Sequence, residues 1–187
     1  MLEESLESAR IIRRGDYRYF VHPVTDGVSE LKPALLREII DQVKRIADLN
    51  VDKIVAIEAM GIQIGTALSL DTDIPMVIVR KKSYGLSGEI EISQQTGYSK
   101  GALYLNGVHR GDRVIVVDDV ISTGGTLLAT LKALKIAGAS TVKAVCVIER
   151  GDGAMRLRSE GYDVKTIVKV DVNDRVKVIS SAKATRK

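Results

Sequence analysis

The chain contains no tryptophan and a single phenylalanine among its 187 residues. Its core must therefore be aliphatic, built from Ile, Val, Leu and Ala. One cysteine, Cys146, excludes an internal disulfide and a cysteine-based zinc site. The two histidines, His22 and His109, lie far apart in sequence, which argues against a His-rich metal centre. No apolar run reaches the length of a membrane span. The N-terminal stretch MLEESLESARIIRRGDYRYF has charges on both sides of its few apolar residues and does not read as a secretory signal, so a cytoplasmic protein is expected. A strong charge of one sign is also missing: 28 basic residues face 24 acidic ones, for a net +4. That balance suits anionic ligands, but acids are interleaved with bases and no concentrated basic face points to nucleic acid.

The length suits one domain. Apolar residues recur at helical spacing through Leu35, Leu36, Ile39, Ile40, Val43 and Ile46, predicting a helix opened by Ser29 or Glu30 and closed by Asn50. DKIVAIE then reads as a buried strand, GIQIGTALSL as a helix and IPMVIVR as a second strand, a unit that favours parallel pairing. Further on, RVIVVDD, STVKAVCVIE and DVKTIVKVDV read as strands, with helices at TGGTLLATLKALKIAGA and GAMRLRSEGY between them. The expected fold class is α/β, an open, mainly parallel sheet flanked by helices. Residues 1–28 match neither template and are expected to cap one edge of the sheet. Residues 81–110 break the pattern; GEIEIS and ALYL alternate weakly, so a flexible hairpin loop is expected, and a connection this long is usually functional. Residues 180–187 read as a frayed tail.

The most informative stretch is RVIVVDDVISTGGTLL, Arg113–Leu128. A buried strand runs into two adjacent carboxylates and then into a turn of Ser, Thr and Gly. In an open parallel sheet, ligands bind beyond the carboxyl ends of the strands. There Asp118 and Asp119 can accept hydrogen bonds from neighbouring hydroxyls, as a ribose diol presents. The turn opens a helix, where glycines allow close approach and free N–H groups favour a phosphate. Diol acceptors beside a phosphate cradle describe a 5-phosphoribosyl group. The stretch has neither the G-x-x-x-x-G-K-[ST] of a Walker loop nor the G-x-G-x-x-G of a dinucleotide fold.

VIVVDDVISTGGT resembles the phosphoribosyl pyrophosphate (PRPP) signature of type I phosphoribosyltransferases. AIEAMGIQIG, residues 56–65, resembles the pyrophosphate loop of the adenine branch, and VRKKSYG, Val79–Gly85, the start of its flexible catalytic loop. Over roughly residues 30–170 the chain is most similar to the archaeal hypoxanthine/guanine enzymes, built on the adenine-type scaffold. The resemblance implies transfer of the 5-phosphoribosyl group from PRPP to a purine. Asp118 and Asp119 would hold the ribose hydroxyls and Mg2+, directly or through water. Val120, Ile121, Ser122, Thr123, Gly124, Gly125 and Thr126 would cradle the 5′-phosphate. Glu58, Ala59, Met60 and Gly61, with Arg80, Lys81 and Lys82, would hold pyrophosphate. Arg80, Lys81 and Tyr98 join the acid pair as expected catalytic residues, and a homodimer is implied. No nucleic acid or membrane partner is expected.

The sequence departs from these relatives at three places. Met60 stands where adenine enzymes commonly carry arginine. Gly97 precedes Tyr98 where they carry glutamate. Ser122 stands where the usual hypoxanthine/guanine enzymes carry an aspartate. The carrier of the base proton is therefore open among Tyr98, Lys100, Glu89 and Glu91. FVHPVTDGV, Phe20–Val28, is expected to read the base, through Thr25, Asp26 and Gly27. The alternatives are an adenine or xanthine enzyme on this scaffold, or a PRPP-sensing regulator that binds nucleic acid.

Overall fold

A computed structural model describes residues 1–15, 17–95 and 100–182. Five strands run parallel: β3 (Lys53–Ile57), β4 (Met76–Val79), β7 (Arg113–Ile121), β8 (Ser140–Arg150) and β9 (Val164–Val172). A sixth, β10 (Val176–Ser181), pairs antiparallel with β9, giving the order β10-β9-β8-β7-β3-β4. Because the chain steps from β3 outward to β4 and later returns to β7 on the other side of β3, strand order reverses at the β3–β7 seam. A crevice opens beyond the strand ends at such a reversal.

Side-chain alternation explains the two faces. Ile54, Ala56, Ile115 and Val117 point into one aliphatic cluster, and Val55, Ile57, Val114 and Val116 into the other. The first face is covered by α3 (Pro33–Ile46), α4 (Gly61–Thr72) and the N-terminal segment, the second by α5 (Gly125–Ile136) and α6 (Gly153–Ser159). Each fully buried Leu or Ile contributes about 1.5–3 kcal/mol of apolar transfer. Leu35, Ile39, Ile40 and Val43 form the buried stripe of α3. This helix begins later and ends earlier than expected. Pro33 occupies its first turn, where proline's fixed φ is welcome, whereas Ser29 sits at φ 61°, and Ala47 is already extended.

The N-terminal segment is more regular than its sequence suggests. It folds as α1 (Leu2–Glu7), the antiparallel pair β1 (Arg10–Arg14) and β2 (Tyr17–Val21), and α2 (Pro23–Asp26). Elements of four to six residues are too short for a periodic signal. The expected frayed tail is likewise corrected in part. Ser180 and Ser181 pair with Lys169 and Val168, and the Ala182 amide donates to the Ile167 carbonyl at 2.7 Å.

The hairpin expected within 81–110 is present as β5 (Ile90–Gln95) and β6 (Lys100–Leu105). Ile92, Leu103 and Leu105 are buried in the second cluster, so the excursion is anchored rather than merely solvated. Arg80 and Tyr104 exchange backbone hydrogen bonds of 2.8 and 2.7 Å, tying the end of β4 to the hairpin.

Candidate functional site

Strand β7 runs further than the sequence suggests, so Asp118 and Asp119 lie within it rather than beyond it. Its partner β3 stops pairing at Ala56–Val117, while β8 continues alongside as far as Glu149. From Asp118 onward one edge of β7 is therefore open, and the acid pair faces the crevice. Both carboxylates are largely buried, and the Asp119 amide donates to Asp118 Oδ1 at 2.9 Å. Burial pushes the Asp118 carboxyl up to about 6, against hydrogen bonds from Asp119 and the positive charge of Lys81. Burial, then the adjacent Asp118 charge, raises Asp119 as well. Two carboxylates held this close in a low-dielectric site favour a cationic or hydroxyl-rich guest.

Two clefts meet at Asp118, and Asp119 lines the smaller of them. The larger, about 420 Å³, is walled by the turn from Ile121 to Thr126 on one side and by Tyr17, Tyr19 and Phe20 of β2 on the other. The smaller, about 320 Å³, is walled by Glu58, Ala59, Met60 and Lys81 beside Asp118 and Asp119. Thr25, Asp118, Val120 and Thr126 line both.

Gly124 has φ 77° and caps α5, which begins at Gly125, so the turn delivers free helix N–H groups to the larger cleft. The turn is braced from behind. The Gly153 amide donates to the Ser122 carbonyl at 2.9 Å, and the Arg156 guanidinium donates to the Thr123 carbonyl. These braces were not foreseen from the sequence. Nor was Arg150, which lines the larger cleft, donates to the Arg18 carbonyl at 2.5 Å and lies 4.2 Å over the Tyr17 ring. Arg150 thereby fastens β2 to the end of β8.

The smaller cleft is shaped by the turn after β3, whose Glu58–Ala59 peptide is cis. Gly61 is required there, since a Cβ would lie 2.9 Å from the Val117 carbonyl and 3.0 Å from Asp118 Oδ1. Glu58 Oε2 accepts from the Lys81 amide at 2.9 Å and lies 3.1 Å from Arg80 Nε. Its carboxylate thus organises the cationic segment. Arg80 and Lys82 do not line the clefts, whereas Lys81 does. The Met60 side chain packs toward Gly27, the positive-φ cap of α2, so this position supplies an apolar contact.

Among the expected base-reading residues, Thr25 reaches the clefts. The Asp26 carboxylate stands behind it, accepting from the Tyr19 hydroxyl at 2.5 Å, the Thr25 hydroxyl at 2.6 Å and the His22 amide at 3.0 Å. Gly97 and Tyr98 lie outside the described residues. Glu89, a candidate proton carrier, is committed elsewhere. Hydrogen bonds from the Ser83 hydroxyl, the Asn106 side chain and the Tyr84 amide hold its carboxyl at about 2.

Comparison with known proteins agrees with this arrangement. The chain is 63% identical to a hypoxanthine/guanine phosphoribosyltransferase of Methanothrix thermoacetophila over 94% of this chain and 92% of that one. It is 62% identical to one of Ferroglobus placidus over 95% and 96% of the respective chains. The fold is similar to the crystal structure of adenine phosphoribosyltransferase from Thermoanaerobacter pseudethanolicus, with a TM-score of 0.75 and 26% identity, covering 90% of this chain and 99% of that one. Residues 27–181 match the family described as phosphoribosyl transferase domain, and the chain belongs to that family.

Proposed function

We propose that this protein is a purine salvage enzyme that transfers the 5-phosphoribosyl group of PRPP to hypoxanthine or guanine, giving IMP or GMP and pyrophosphate. The observation that carries the reading is the junction of the two clefts at Asp118, with Asp119 beside it. One cleft offers a helix-borne anion cradle and an aromatic wall, the other the turn after β3 with the Lys81 ammonium beside it. PRPP has that shape: a phosphate at one end, a diol in the middle and a pyrophosphate at the other. The names of the relatives described above support the choice of base.

In this reading the turn Ser122–Thr126 fixes the 5′-phosphate, with Val120 and Ile121 leading into it. Asp118 and Asp119 hold the ribose diol. The backbone of Ala59, Met60 and Gly61 and the ammonium of Lys81 hold pyrophosphate, with Arg80 steadied by Glu58. Lys82 adds exposed positive charge, and Tyr98 belongs to the loop that closes over the reaction. A purine ring nitrogen bonds to C1 as the C1–pyrophosphate oxygen bond breaks, and the base gives up the proton of its ring N–H. Binding both reactants in line makes the step effectively unimolecular.

Magnesium fits the donor set. No cluster of three or more His, Cys, Asp or Glu is found among the described residues. Mg2+ is usually bound through one or two carboxylates, several waters and substrate phosphates. Asp118 and Asp119 would hold it, and when bound it would neutralise charge on the leaving pyrophosphate. We further propose a homodimer acting in the cytoplasm. Tyr84 and Leu86, large and exposed just past Arg80, are the kind of surface a second subunit would cover.

The test is a spectrophotometric panel with PRPP and Mg2+, offering hypoxanthine, guanine, xanthine, adenine and orotate separately. Turnover of hypoxanthine and guanine, with little of adenine, is expected. Turnover of adenine alone would move the protein to the adenine branch. PRPP binding without turnover of any base would favour a sensor.

A further inference from the structure

Arg150 joins the two walls of the larger cleft. Glu149 pairs with Ile121 at the end of the β7–β8 ladder, so Arg150 stands level with the start of the turn Ser122–Thr126. Its side chain reaches the opposite wall. The guanidinium donates to the Arg18 carbonyl at 2.5 Å and lies 4.2 Å from the centre of the Tyr17 ring. A planar guanidinium can cover a ring face and donate a hydrogen bond in its own plane at once, which a compact ammonium does not match. The adjacent Glu149 carboxylate does not compete for it, being engaged by Arg158, Thr166 and Lys169 at 3.0, 2.9 and 2.9 Å.

The β2 wall depends on side-chain ties of this kind. Among the described residues, β1 and β2 form a sheet of their own and share no ladder with the central sheet. A two-stranded hairpin is marginally stable by itself. Phe20 and Ile11 anchor it in the first aliphatic cluster. The Arg18 side chain also pairs with Asp174, but that carboxylate is 89% exposed, so the pair contributes little. The charged tie that is half-buried and sits at the cleft itself is the one from Arg150.

We infer that Arg150 is a positioning residue for base binding: from the end of β8 it holds the β2 wall at a fixed distance from the turn Ser122–Thr126, and so sets the width of the slot that takes the purine. This rests on the reading of the larger cleft as the base site. A flat ring gains from two walls only at close contact, since a gap of roughly 0.5–1 Å forfeits a quarter to a half of a dispersion well. Arg150 touches no reacting atom in this scheme; it acts through Tyr17 and the backbone of Arg18.

The experiment compares the wild type with Arg150→Met, which keeps the apolar stem and removes the donors, and with Arg150→Lys, which keeps the charge. It measures KM for hypoxanthine, KM for PRPP, and amide hydrogen exchange of the free protein. In Arg150→Met, KM for hypoxanthine is expected to rise about tenfold or more, the worth of one hydrogen bond from a charged group, while KM for PRPP stays within about twofold. The turn keeps its braces from Gly153 and Arg156 in both variants. Amides of β1 and β2 should exchange about tenfold faster, and those of β7 and α5 at the wild-type rate. Arg150→Lys should move both readings in the same direction. If KM for PRPP rises as far as KM for hypoxanthine, Arg150 acts as a charge in the site rather than as a strut, and the inference is overturned. It is also overturned if Arg150→Lys behaves as the wild type, or if exchange in β1 and β2 is unchanged. Should Arg150→Met fail to fold, Arg150→Lys decides by the same readings. A wild type that turns over no base would remove the functional reading, and the role in base binding with it; an active wild type with unchanged variants removes this inference alone.

Discussion

Gly153 touches Ser122 so closely that no side chain can stand between them. Its amide donates to the Ser122 carbonyl at 2.9 Å, and a Cβ built on Gly153 would lie 2.3 Å from that same oxygen. The Gly124 amide nitrogen and the Thr123 carbonyl carbon would both be 2.5 Å away. The turn Ser122–Gly124 is thus seated on the first residue of α6, backbone against backbone.

Gly153→Ala should therefore displace the turn, because only backbone atoms are available to give way. A stability loss of about 1–3 kcal/mol is expected from overpacking. KM for PRPP should rise at least about tenfold. A thermal melt and a PRPP titration check the two effects. An unchanged KM would show that the turn does not depend on this brace.

Glu58→Gln keeps an acceptor for the Lys81 amide but removes the charge facing Arg80 Nε at 3.1 Å. Both partners are partly exposed, so the stability change should stay under about 1 kcal/mol. Loss of Arg80 placement should lower kcat/KM for PRPP about tenfold and leave KM for the base unchanged. Steady-state kinetics with each substrate varied in turn would show it.

Asp118 links activity and stability to pH with opposite signs. Its folded carboxyl titrates near 6, above its ordinary 3.8. In the proposed function the pair would hold ribose and metal in its ionised form, so kcat/KM should fall as pH drops through about 6. A raised carboxyl works the other way on stability: its contribution is present below about pH 4 and is lost as pH rises through 6. Asp118→Asn should therefore melt higher than the wild type at pH 7–8, by on the order of 2 kcal/mol of stability, while losing nearly all activity. The asparagine oxygen can still accept the Asp119 amide. A variant that melts lower at pH 8 would contradict the argument.

His22 carries the reverse dependence. It is buried, with Nε2 3.0 Å from Ser5 Oγ and Nδ1 accepting from the Val24 amide at 3.3 Å. Desolvation lowers its pKa from 6.5 to about 4, despite the nearby Asp26 charge. Neutral His22 contributes stability that is present above pH 6.5 and lost as pH falls toward 4. Between about pH 4 and 6 this loss opposes the gain from Asp118, so the wild type should show a shallow dependence there. Asp118→Asn, with one of the two raised carboxyls removed, should lose stability more steeply on acidification. Urea unfolding at half-unit pH steps would reveal the difference in slope.

The parallel strands and the glycine turn that opens α5 were legible in the sequence because their signals are contiguous. Aliphatic runs such as Ile54–Ile57 and Val114–Val117 read as buried strands, and the turn Ser122–Thr126 after an acid pair needs no partner to be noticed. The N-terminal segment was not legible, because α1, β1, β2 and α2 are too short for periodicity and are held by contacts to distant residues. Arg150 holding the Arg18 carbonyl spans 132 positions, and no local pattern announces it. The hydrogen bonds that Ser83 and Asn106 donate to Glu89 come from 6 and 17 positions away, and no local pattern announces them either.

By itself, the sequence determined the chemical alphabet of this protein. An aliphatic core dictates the sheet, and an acid pair followed by Ser-Thr-Gly-Gly-Thr carries the acceptors and free N–H groups that the proposed diol and phosphate contacts use, since backbone conformation and hydrogen-bonding capacity over a few adjacent residues are local properties. Only the tertiary structure decided that Gly153 and Arg156 brace that turn from some 30 residues away, that Glu58 organises Arg80 and Lys81, and that Asp26 claims the protons of Tyr19 and Thr25. Hydroxyl polarity and loop placement depend on which groups the topology brings within 3 Å of one another, and that is a property of packing rather than of any stretch of chain.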